Sequence, residues 1–114
     1  MKPFLFVINA VPIPDNKECE DIAGAIVHIW VFAKDKEEAK INAIDYIRNY
    51  LWEVTNFEYE LEIQQEQIAK LHEAELALYN KAFHFGIAAE FLAHSKVPGN
   101  PDDAVEIRSL NKPQ

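Results

Sequence analysis

The chain has 114 residues, 49% hydrophobic and 26% charged, the balance of one globular domain rather than a disordered or fibrous segment. Eleven Lys and Arg against nineteen Asp and Glu give a formal charge of −8, which argues against nucleic acid as a partner because phosphate binding draws on clustered cations. The single cysteine, Cys19, cannot form an internal disulfide, so a reducing, cytoplasmic setting is expected.

Met1-Lys2-Pro3 precedes an apolar run, Phe4 to Val11, that could open a signal peptide. Asn9 interrupts the run and no small-x-small cleavage site follows, whereas Pro12 and Pro14 suit the end of a β-strand over 4–11. Asp15 to Asp21 is an acidic stretch without apolar period, read as a solvated loop. Gly24 then opens a second strand over 25–33, and the two strands are expected to pair antiparallel.

Asp35 is a good helix N-cap, with Glu38 three residues on where a capping box wants an acid. Ala39, Ala43, Ile47, Tyr50 and Val54 form a stripe at helical spacing, widened by Ile44 and Leu51, so the helix is expected to run to about Thr55-Asn56. Phe57 to Gln64 alternates strictly, predicting a strand with Phe57, Tyr59, Leu61 and Ile63 on its core face and Glu58, Glu60, Glu62 and Gln64 in water. A second helix is read from about Glu66 to His94, apolar nearly all round from Ala82 onward, with Gly86 as a kink or close approach. After the break at 97–103, residues 104–110 read as an edge strand and those from about 111 as a flexible tail. The expected fold is α+β, a single domain over 1–114 with a small antiparallel or mixed sheet, two helices on one face and the order β-β-α-β-α(-β).

One mismatch points to function. The second strand has an apolar set on each face, Val27, Ile29 and Val31 against Ile26, His28, Trp30 and Phe32, and the first strand is two-sided as well. Helices on one face leave the other set uncovered, so the C-terminal helix, the tail, a second subunit or a partner must cover it. Self-association, most simply as a dimer, would use the apolar second helix, with Phe83, Phe85, Ile87 and Phe91 as candidate interface residues. A recognition surface would instead set His28, Trp30 and Phe32 beside the acidic row Glu58, Glu60 and Glu62, suiting a basic protein partner. A small-molecule cleft lined by Trp30 and His28 is the third reading.

Signals for catalysis are sparse. Of the four histidines, His72 stands at i, i+3 from Glu75 and His94 at i, i+4 from Glu90, with no paired Glu-x-x-His or His-Glu-x-x-His pattern. Cys19 lies between Glu18 and Glu20, whose charge disfavours a thiolate, and reads as an exposed, inert thiol. Ser95 and Ser109 lack a nucleophile-elbow context, and Gly24, Gly86 and Gly99 are too few and scattered for a phosphate-cradling loop. No metal or cofactor is expected. The strand running into Asp35-Lys36-Glu37-Glu38-Ala39 and a helix carrying Ala43 resembles the strand-to-helix junction of HicB-type antitoxins. No DNA-binding segment follows it, and no functional residue is carried over. The sequence therefore reads as a small cytoplasmic protein acting by binding or self-association rather than catalysis, with an acidic antitoxin- or immunity-type inhibitor as the alternative.

Overall fold

The computed structural model describes residues 1–95 and 108–109. Strands β1 (Lys2–Pro12) and β2 (Ile22–Ala33) form an antiparallel pair, joined by a short 3₁₀ turn at Lys17–Cys19. Helix α1 (Lys36–Asn49) leads to β3 (Trp52–Glu62), which returns antiparallel to β1. A single turn, α2 (Gln65–Ile68), precedes α3 (Glu73–Phe85), and β4 (Ile87–Ser95) pairs antiparallel with β2. Two residues of β5 (Arg108–Ser109) pair with Leu92 and Ala93, giving the sheet order β3-β1-β2-β4-β5.

The α+β class holds, with three corrections. The expected helix over 66–94 is two helices and a strand: Gly86 ends α3 in the left-handed region at φ 88°, its N–H donating to the Ala82 carbonyl. That is the usual role of glycine at a helix C-terminus. The residues beyond it alternate across β4, Ile87, Ala89, Phe91 and Ala93 on one face and Ala88, Glu90 and Leu92 on the other. Alanine-rich sequence reads as helix, but here it supplies the hydrogen-bonding partner that β2 needs to become a central strand.

The two helices also lie on opposite faces. Ala39, Ala43 and Ile47 of α1 pack on Phe4, Phe6, Ile8, Val27, Ile29, Val31 and Phe91. Ala82, Leu78 and Tyr79 of α3 pack with Trp30, Leu5, Phe32, Ile63 and Ala88 on the other face. Strands covered on both sides carry apolar residues on both sides, which resolves the two-faced pattern of β1 and β2 within the chain.

Lastly, α1 ends at Asn49, before the expected Thr55-Asn56. Leu51 takes φ 66° and turns the chain into β3, its N–H donating to the Arg48 carbonyl and its own carbonyl accepting from Ile13 N and Asn16 Nδ2. Asn16 and Cys19 are buried, so the acidic loop is anchored at these points and Cys19 is not the exposed thiol expected. The α1 start stands as expected, Asp35 Oδ1 accepting from Glu38 N at 2.9 Å and Glu38 Oε1 from Lys34 N at 3.0 Å. The expected break at 97–103, most of the strand read at 104–110 and the tail from 111 lie outside the described residues.

Candidate functional site

The residues singled out for recognition are divided among three settings. Trp30 sits between Leu5 and Ala88 in the sheet, 1% exposed, its ring edge-on to Tyr79 of α3 at 5.2 Å. Phe32, one step along the same face, is half-buried and meets Tyr79 at 5.5 Å and Phe83 at 5.8 Å. His28, one step along this face on the other side of Trp30, is half-buried between Val7 and Glu90.

The acidic row is broken by the strand that carries it. The β1–β3 register shifts between Val7 and Ile8 and again between Asn9 and Ala10, and each extra residue changes the face on which the following side chains fall. Glu60 and Glu62 stand opposite Phe6 and Phe4, on the α1 side. There Glu60 accepts from Lys40 at 3.1 Å and pairs with Lys36 at 3.6 Å, while the Lys40 ammonium lies 4.6 Å from the centre of the Phe57 ring. Glu58, at the bulge, accepts from Asn9 at 2.7 Å and Asn56 at 3.1 Å. The four residues expected on the core face of this strand also separate: Phe57 goes to the α1 core, Ile63 to the α3 core, and Tyr59 and Leu61 stay exposed.

The candidate interface residues divide as well. Phe91 is 1% exposed, locked between Val27 and the rings of Tyr50 and Trp52. Ile87 is half-buried against the α1 core. Phe83 and Phe85 remain 64% and 76% exposed. Phe83 joins a run of rings, 5.8 Å from Phe32 and 6.5 Å from Tyr79, with Leu76 exposed one turn above Tyr79. The signal for this patch was already in the spacing of Leu76, Tyr79 and Phe83, which lies on one helix flank.

Among the described residues, no group of three or more His, Cys, Asp or Glu could hold an ion. Because β4 is a strand, Glu90 and His94 are separated by about 13 Å of extended chain, not one helical turn. Glu75 faces the start of α3, its Oε1 3.4 Å from the backbone N of His72. Burial holds the Tyr46 phenol well above its ordinary value, and the hydrogen bond to Tyr50 adds to the effect. Among the described residues no helix is long and apolar enough to cross a membrane. Protein-family models, curated proteins and solved structures give no match to this chain.

Proposed function

We propose that this is a cytoplasmic protein that acts by binding rather than catalysis, and that it self-associates as a dimer through the exposed aromatic flank of α3. The observation that carries this reading is the exposure of Phe83 and Phe85, 64% and 76%, with Phe83 set against the rings of Phe32 and Tyr79. Contiguous apolar surface of this kind marks contact sites, and aromatic anchors dominate the energy of such contacts. A two-fold axis would set the same patch against itself. A basic protein partner, the alternative, rests on the net charge of −8, since Glu58, Glu60 and Glu62 do not share one face.

Light scattering coupled to size exclusion tests the proposal. The expected mass is twice the 13.1 kDa of the chain, unchanged between low and high salt because the contact is apolar. Phe83→Ser and Phe85→Glu should give monomers that keep the parent's far-ultraviolet circular dichroism, with urea midpoints lowered by the lost association and no longer dependent on protein concentration. A parent that runs as a monomer would overturn the reading.

A further inference from the structure

We propose that the cleft between α1 and the α3–β4 turn is a binding site for a small organic cation of the alkylammonium class. The cleft encloses about 330 Å³, within the usual size of a small-ligand site. One wall is a single flank of α1 carrying Asn42, Asp45, Tyr46 and Asn49, and the opposite side is formed by Val31, Phe85 and Ile87 around Gly86, while the Phe32 ring points to the α3 face of the sheet. The aromatic residues Tyr46 and Phe85 and one carboxylate line it, with no lysine, arginine or histidine.

Two features select the ligand. Among the described residues Asp45 makes no ion pair, whereas Glu60 on the same side of the sheet is paired with two lysines. The amides of Asn42 and Asn49 are likewise unspent among the described residues, leaving donors and acceptors for a hydroxyl or amine substituent. Aromatic faces attract a diffuse positive charge, and a nearby carboxylate supplies the counter-charge. A compact anion would find no cation here, and a neutral molecule would gain nothing from the Asp45 charge. The inference goes beyond self-association: the cleft shares Phe85 with the proposed contact, but its polar wall, Asn42, Asp45 and Asn49, belongs to α1.

The test is a titration with choline and, separately, with its neutral carbon isostere 3,3-dimethylbutan-1-ol, followed by NMR chemical shifts. It is run on the parent chain and on Phe83→Ser. Choline is expected to shift the amides of Phe32, Gly86 and Ile87 in both chains and to bind at least tenfold more tightly than the isostere, a ratio of about 1.4 kcal/mol. Asp45→Asn, a change at an exposed side chain, should remove that preference while leaving the urea midpoint in place. Equal responses to choline and isostere, an unchanged preference in Asp45→Asn, or no shift at the cleft residues would each overturn the proposal.

Discussion

Trp30 shows how far a residue's role depends on its neighbours. By composition it belongs to an interface, yet Tyr79, Ala88 and Leu5 enclose it. Trp30→Ala is expected to cost about 3–5 kcal/mol in urea unfolding. Trp30→Glu should fail to fold, so it reports on the core and not on association. Leu51 is strained in the opposite sense: a branched side chain held at φ 66° costs about 1–2 kcal/mol relative to an ordinary conformation. Leu51→Ile should destabilise by at least about 1 kcal/mol, because β-branching crowds that region further. Leu51→Gly should be neutral or stabilising, relief of strain offsetting the greater freedom of the unfolded chain. Tyr46 titrates late because burial disfavours its anion. The unfolded chain therefore releases this proton first, and the stability it contributes is present below the ordinary tyrosine range and lost as pH rises above about 10. The tyrosinate absorbance of native protein should accordingly lack one step that appears on unfolding, and Tyr46→Phe should abolish that difference.

At the scale of elements, Gly86 marks the division between α3 and β4. A Cβ built there meets nothing within 4 Å, so the cost of Gly86→Ala is the left-handed backbone alone, about 1 kcal/mol. Gly86→Asn should recover part of it, since asparagine tolerates this region; thermal melts of the two variants decide the order. Strand β3 is the other element whose behaviour turns on irregularity. It forms one edge of the sheet, and its bulges and its charged residues Glu53, Glu58, Glu60 and Glu62 blunt that edge against pairing with another strand. Its attachment to α1 through Lys36, Lys40 and Glu60 lies near the surface, so Lys40→Ala is expected to cost no more than about 1 kcal/mol, less at high salt.

At the scale of the molecule, what matters is how much apolar surface is left after the described elements have covered one another. Helix α1 closes one face of the sheet, and α3 closes the half of the other face that contains Trp30. The remaining half is mixed: Tyr59 and Ile26 are exposed, but Asn9, Asn56 and Glu58 form a hydrogen-bonded polar group beside them. Apart from Met1, the most exposed large apolar side chains among the described residues are Phe85 and Phe83 at the end of α3, and the proposed dimer places them out of water. If both were at the interface, combining Phe83→Ser with Phe85→Glu should lower the association constant further than either alone, measured by sedimentation equilibrium.

Local sequence determined what depends on near neighbours. The pairing of β1 with β2, the capped start of α1 and its buried stripe were legible because caps and periodicity act over a few residues. So was the surplus of apolar surface on β1 and β2, which stated that a second layer must exist without saying which segment supplies it. Tertiary structure decided the rest. Ala88, Ala89 and Ala93 suit helix or strand alike, and only the open hydrogen-bonding edge of β2 makes a strand of them. The faces of Phe57 and Glu60 were decided by bulges, because one extra residue reverses a side chain's face and no local pattern records it. Asp45 and Tyr46 on α1 and the distant Phe85 became the lining of one cleft only when α1 and the α3–β4 turn met at the same end of the sheet.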